Sequence, residues 1–279
     1  MSEPGAPERL ARAAESGDVV LAGRSISVRF GGLAALEDVD IEVPSGTIVG
    51  LVGPNGAGKT TLFGVLSGLL RPAAGRVELM GADVTNRSPQ ARARMGMART
   101  FQHLELFHDL TVRQHVVLAY RVRHAYKRLW SDLIDLRGWR RPPAEEDERV
   151  DGLVSLLGLE GVAQVPVAAL PLGTTRRVEV ARALAASTAV LLLDEPSSGL
   201  DTRETEQLAQ VLRTVVETEG VGILLVEHDV GMVLGLSSMV TVLDFGRCIA
   251  VGTPDEIRVD EHVRAAYLGD AGATNGSAA

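Results

Sequence analysis

The sequence predicts an α/β fold: a parallel sheet covered by helices on both faces, an antiparallel β-subdomain near the N-terminus, and a helical subdomain inserted in the middle. Three observations predict it. Thr47–Val52, Val190–Leu193, Gly222–Val226 and Val240–Asp244 are compact apolar runs with the length and continuity of buried strands. Helical stretches separate these runs, the pattern of crossover connections rather than of hairpins. Val19–Val43 instead holds two short alternating stretches around Arg29-Phe30-Gly31-Gly32, which reads as an antiparallel hairpin.

Along the chain, residues 1–18 lack apolar periodicity and read as a tail. Thr60–Leu70 reads as a helix, because Leu62, Val65, Leu66 and Leu69 fall at helical spacing. Arg76–Leu79 alternates after a Pro-Ala-Ala-Gly turn and reads as a further, exposed strand. The middle, 104–175, is more polar and helical, with a break at Pro142-Pro143. The expected division is therefore a core of 19–103 and 176–268, an insertion of 104–175, and a tail of 269–279.

Within the insertion, Glu145–Glu148 reads as a solvated helix start. Tyr120–Arg141 carries seven basic and two acidic residues and both tryptophans of the chain. Three readings stand for it: a solvated helical hairpin with its aromatics turned inward, contact with lipid headgroups or a membrane-embedded partner, and a surface for single-stranded nucleic acid.

Composition narrows the function. With 279 residues, 46% apolar and 23% charged, the chain can bury a sizeable core and is not disordered as a whole. A net charge of −8 argues against coating nucleic acid. The single cysteine, Cys248, can form neither an internal disulfide nor a thiolate cluster, which fits a reducing compartment. No run reaches the ~18–20 apolar residues of a membrane helix, and Met1–Asp18 has no apolar leader segment. Work at a membrane would need another subunit to hold the chain there.

Gly53-Pro54-Asn55-Gly56-Ala57-Gly58-Lys59-Thr60 fits G-x-x-x-x-G-K-[ST], between a buried strand and a helix. In this P-loop pattern the glycines let backbone N–H groups turn toward phosphate, and the helix N-terminus adds a positive dipole end. Lys59 would reach the β- and γ-phosphates, and Thr60 would ligate Mg²⁺. Asp194 and Glu195 close the next apolar strand, where one carboxylate can hold the metal and the other can polarise water.

Phe30, the P-loop, Gln102 in Thr100-Phe101-Gln102, Asp194-Glu195-Pro196, Ser198-Gly199-Leu200-Asp201 and His228 follow one another in the order of the ATP-binding-cassette ATPases. The sequence resembles that family over about Val19–Leu268. Within it, the chain is most similar to the ATP-binding subunits of branched-chain amino-acid importers. The features shared with them are Arg29-Phe30-Gly31-Gly32-Leu33, the basic stretch after residue 120, Arg176-Arg177 before Glu179, and an ending with Gly252-Thr253-Pro254 and Tyr267-Leu268-Gly269.

The resemblance implies a P-loop NTPase (RecA-like) core and specific roles. Phe30 would stack on adenine, and Gly53, Asn55, Gly56, Gly58, Lys59, Thr60 and Thr61 would bind the nucleotide. Thr60, Asp194 and Gln102 would hold Mg²⁺. Glu195 would be the general base, Gln102 would sit at the hinge near the water, and His228 would contact the γ-phosphate and keep base and water in register. Asp201 would meet the opposite subunit. The implied partners are transmembrane permease subunits, a second ATPase subunit and, indirectly, a solute-binding protein, with no nucleic acid. The implied location is the cytoplasmic face of the cell membrane, peripherally. Other readings are a nucleotide-sensing subunit with little turnover and a soluble ATPase outside transport.

One motif departs from the pattern. Where the family has Leu-Ser-Gly-Gly-Gln, which acts on nucleotide held by the partner, this chain has Leu170-Pro171-Leu172-Gly173-Thr174. Gly173 remains as the candidate phosphate contact. Pro171 offers neither hydroxyl nor N–H, and Leu172 adds bulk. The expected consequence is pairing with a different cassette subunit.

Overall fold

In the computed structural model, residues 18–100, 106–132, 144–186 and 188–273 are described. Gln102, the Pro142-Pro143 break, residues 133–141 of the basic aromatic stretch and most of both expected tails lie outside them.

The N-terminal hairpin forms as its alternation predicts. Strand β1 (Val19–Phe30) runs antiparallel to β2 (Leu33–Pro44), with Phe30 opposite Leu33 across the Gly31-Gly32 turn. β3 (Ile48–Val52) then enters a second sheet, while β4 (Ala74–Leu79) returns to the other side of β1 and is followed by β5 (Ala82–Asp83). The first sheet has the order β2-β1-β4-β5. The expectation of an exposed strand at Arg76–Leu79 is corrected here. Val77 and Leu79 are fully buried, because alternate residues of β4 face the P-loop helix and the first sheet's own core.

The second sheet contains β6 (Met97–Arg99), β7 (Val190–Asp194), β8 (Gly222–Val226), β9 (Met239–Asp244) and β10 (Arg247–Gly252), in the order β10-β9-β3-β8-β7-β6. All pairs are parallel except the β9–β10 edge. Every residue of β3, β7 and β8 is buried. Successive side chains divide between two cores: Val49, Leu51, Leu192 and Leu224 face the first sheet, and Ile48, Val52, Leu191 and Ile223 face the helices. Burial on both faces explains why these strands are apolar without alternation.

Helix α1 (Lys59–Ser67) ends earlier than Leu70, because Gly68 adopts the left-handed conformation at φ +83°. Its last carbonyls are closed by a buried charge. Arg92, in α2 (Pro89–Arg94), is fully buried and donates from Nη1 to the Val65 and Leu66 carbonyls at 2.8 and 2.6 Å. It also donates to Thr85 and Arg87 carbonyls at 3.0 and 3.3 Å. Burial pulls its pKa down to about 10.

The insertion contains α3 (Val112–Asp132) and α4 (Ala144–Leu156), and α5 (Leu172–Ala185) packs against both. The reading of Glu145–Glu148 as simply solvated is corrected: Glu146 is buried and takes a forked contact from Arg121 at 2.7 and 3.0 Å. Arg113 holds the next turn through Asp147 and Asp151. Two expected boundaries fall inside helices. The 175/176 division cuts α5, and helix α9 (Glu261–Ala273), which follows α6 (Thr202–Glu219), α7 (Val230–Leu236) and α8 (Pro254–Val259), runs past 268.

Candidate functional site

The loop between β3 and α1 is shaped by its neighbours. Gly53 has φ +152°, and a Cβ there would lie 2.1 Å from the Leu243 carbonyl oxygen on β9. Gly58, at φ +104°, would place a Cβ 2.9 Å from the Ala35 carbonyl oxygen on β2. The β9–β10 turn ties the two sides together, with Gly246 N–H donating to Ala57 and Glu37 N–H donating to Gly246 at 3.0 and 2.8 Å. Gly58 precedes α1 without a side-chain cap, and the positive end of the helix dipole favours an anion at this turn. Lys59 is buried and folds back, its Nζ donating to the Gly53 and Pro54 carbonyls at 2.5 and 3.0 Å. Asn55, Gly56 and Thr60 are exposed and Thr61 is half-buried.

Parallel pairing of β7 with β8 brings the acidic residues to the same edge. Asp194, the last residue of β7, is buried, and its Oδ2 lies 3.3 Å from Arg99 Nη2 at the end of β6. Burial pushes the Asp194 carboxyl above its ordinary range, with Arg99 opposing the shift. Glu195 follows in a left-handed conformation at φ +49°, its N–H donating to the Val226 carbonyl at 2.8 Å. That turn brings Glu195 Oε1 to 2.8 Å from Nε2 of the exposed His228, just beyond β8. Glu227, which precedes His228 in the chain, is buried and accepts the Ser197 N–H at 2.6 Å, and its carboxyl is pushed up, chiefly by burial.

Phe30 is 53% exposed at the hairpin tip, not packed into the core. Asp201 caps α6 by accepting the Glu204 N–H at 2.8 Å, with Glu204 bonding back to the Asp201 N–H in a capping box. The departed segment starts α5: Pro171 is its N-cap, and Leu172 lies so near Gly199 that a Cβ there would be 3.0 Å from Leu172 Cδ2. A Cβ on Gly173 would lie 2.9 Å from Glu204 Oε1.

Comparison with known proteins decides the family. The ABC transporter family model matches residues 36–198. The chain belongs to the ABC transporter ATPases. A second model, the branched-chain amino acid ATP-binding cassette transporter, matches residues 247–273. The high-affinity branched-chain amino acid transport ATP-binding protein LivG of Salmonella typhimurium is 37% identical over 252 residues, covering 90% of this chain and 98% of the relative. BraF of Pseudomonas aeruginosa, of the same description, is 34% identical over the same shares. Among solved structures, an ABC transporter cassette in its ADP conformation superposes with a TM-score of 0.75 at 27% identity, covering 90% of this chain and 99% of that one.

This ABC cassette is therefore a nucleotide-binding subunit that hydrolyses ATP for transport, and cassettes of its family pair and work beside membrane-spanning subunits. No helix among its described residues is long and apolar enough to cross a membrane. The structure brings together Lys59 with Gly53, and Asp194 and Glu195 with His228. Phe30 and Gly173 stand on separate elements, at the hairpin tip and the start of α5. Among the described residues no three His, Cys, Asp or Glu side chains cluster as a metal site. The donors available, the Asp194 carboxylate and the Thr60 hydroxyl, are hard oxygens. They suit Mg²⁺, which takes few protein ligands and completes its shell with phosphate and water.

Arg99 and Glu227 were not singled out from the sequence. Both are charged residues beside apolar strands, and only strand pairing shows that one meets Asp194 and the other the Ser197 backbone.

Proposed function

We propose that this cassette powers an importer of branched-chain amino acids or of a similar small polar solute. The observation that carries the reading is the correspondence with LivG and BraF over 90% of the chain, together with the branched-chain match at 247–273. The cassette would sit peripherally on the cytoplasmic face, held by permease subunits and served indirectly by a solute-binding protein. A second, different cassette would complete its nucleotide sites.

In this reading the first turn of α1 and the loop N–H groups of Gly53–Thr60 receive the phosphates, and Lys59 leaves the Gly53 and Pro54 carbonyls to meet them. Phe30 offers its exposed ring to adenine. Thr60 and Asp194, with Gln102, would hold Mg²⁺, which neutralises charge on the phosphate oxygens. Glu195 takes a proton from the attacking water, and His228 keeps the carboxylate aimed. The helical insertion, joined to the core through α5, passes the closing and reopening of the paired cassettes to the permease.

The test is reconstitution in vesicles. A branched-chain amino acid with its binding protein should stimulate ATP hydrolysis; if none does, the substrate assignment fails. Lys59→Ala should weaken ATP binding by more than about tenfold, since charge-assisted phosphate contacts contribute ~1.5–3 kcal/mol. Unchanged affinity would remove the loop from its role. Glu195 and His228 argue against a nucleotide sensor with little turnover, and steady-state hydrolysis by the intact complex measures how far Pro171 and Leu172 slow the reaction.

A further inference from the structure

Asp194 carries a buried carboxylate, and a buried anion needs a positive partner before any metal arrives. Arg99 supplies one. Its guanidinium is 17% exposed, lies 4.6 Å over the Phe63 ring, and donates to Ser67 Oγ at 3.1 Å. Phe63 and Ser67 both belong to α1, the helix that begins at the P-loop, so this seat does not depend on Asp194. The contact with the carboxylate is single and long: 3.3 Å to Oδ2, against ~2.7–2.9 Å for a strong charge-assisted bond. A guanidinium held this way can release the carboxylate without leaving its place.

We propose that Arg99 is a positioning residue that acts as a placeholder for the divalent metal at Asp194. It neutralises and orients the carboxylate in the metal-free protein and yields it when the metal binds. The proposal rests on the reading of Asp194 as a metal ligand. Arg99 ends β6, and Gln102 follows three positions later in the sequence. Metal arrival thus alters the charge environment of the strand that leads into the helical insertion. Because guanidinium and metal compete for one anion, removing the guanidinium charge strengthens metal binding. A purely structural support would do the opposite, since its loss would leave Asp194 misplaced.

The experiment is a Mn²⁺ titration of the full-length chain saturated with ATP, in a Glu195→Gln background that blocks turnover, reading free Mn²⁺ by electron paramagnetic resonance. Arg99→Gln should tighten Mn²⁺ binding by about tenfold, the size expected from deleting one nearby like charge in a partly buried site. Arg99→Lys, which keeps the charge, should stay within about twofold of the parent. Weaker or unchanged binding in Arg99→Gln overturns the proposal, as does equal tightening by Arg99→Lys. Should Arg99→Gln not fold, Phe63→Leu loosens the guanidinium's seat and should tighten Mn²⁺ by about two- to threefold; no gain there also overturns it. Asp194→Asn serves as the separate control: if it leaves Mn²⁺ affinity unchanged, the metal-ligand reading fails rather than the role of Arg99.

Discussion

Glu195 and His228 meet across the ends of two neighbouring parallel strands, with Glu195 Oε1 2.8 Å from His228 Nε2. Glu195 reaches this position only by adopting φ +49°, a conformation that costs a non-glycine residue ~1–2 kcal/mol. The bond from its N–H to the Val226 carbonyl helps to hold the turn. Such strain at the tip of a buried strand aims the carboxylate and keeps it from relaxing into solvent.

Glu195→Gln should therefore keep ATP binding while lowering turnover by ~10²-fold or more, because the amide retains shape but cannot accept the proton. His228→Ala should lower turnover less, by ~10-fold, since the base remains but loses its brace. Single-turnover hydrolysis measured beside nucleotide affinity checks both. A Glu195→Gln rate near wild type would remove Glu195 from the role of base.

Arg92 acts on stability rather than chemistry. Arg92→Met removes the side-chain donor from the Leu66 and Thr85 carbonyls, and one of two donors from Val65, which keeps the Gly68 N–H at 3.1 Å. Unsatisfied buried acceptors and imperfect repacking should cost ~3 kcal/mol, lowering Tm by roughly 5–10 °C. ATP affinity of the folded protein should change little, as the contacts lie at the far end of α1 from the loop. Thermal melts with a nucleotide titration test this, and an unchanged Tm would count against it.

Glu227 predicts a pH dependence. Burial raises its carboxyl pKa in the folded protein, so the folded state binds this proton more tightly than the unfolded chain does. The contribution to stability is full below the unfolded carboxylate pKa and declines as pH rises through the folded value. Glu227→Gln stays neutral throughout and keeps an oxygen for the Ser197 N–H. Its Tm should match wild type near pH 4 and exceed it by a few degrees near pH 7.5. A Tm difference independent of pH would contradict the assignment.

What the sequence made legible and what it hid have one physical cause. The buried strands and the P-loop are local signals: runs of four to six largely apolar residues, or glycines at fixed spacing. Met97-Ala98-Arg99 has no such signal, and it becomes a strand only by pairing with Val190-Leu191-Leu192. Arg92, Arg99 and Glu146 carry no local signal of their partners, because a charged side chain normally faces solvent. Their placement depends on distant partners, as with Arg92 and Val65 at a separation of 27 residues and Arg99 and Asp194 at 95. No window of sequence contains both members of such a pair.

The last prediction concerns the partner. In the proposed reading Phe30, Lys59, Thr60, Asp194, Glu195 and His228 would make one half-site, whereas the segment that would serve the opposite nucleotide has Pro171 as a cap that offers no donor and Leu172 against Gly199. Each donor lost from a developing phosphate charge costs ~2.7–4 kcal/mol of transition-state stabilisation, by analogy with single oxyanion-hole donors. A pair of identical chains would carry that defect in both sites, while a different partner with an intact segment confines it to one. The purified complex should therefore contain one copy of this chain and one other cassette. Glu195→Gln should silence most hydrolysis, and the matching change in the partner should do little. Two copies of this chain without another cassette, or equal losses from both changes, would refute the asymmetry. Pro171→Ser combined with Leu172→Gly should raise turnover at the weak site, at a cost of ~1 kcal/mol in stability for glycine in the first turn of α5. If turnover does not rise while the variant still folds, the segment is not what limits that site.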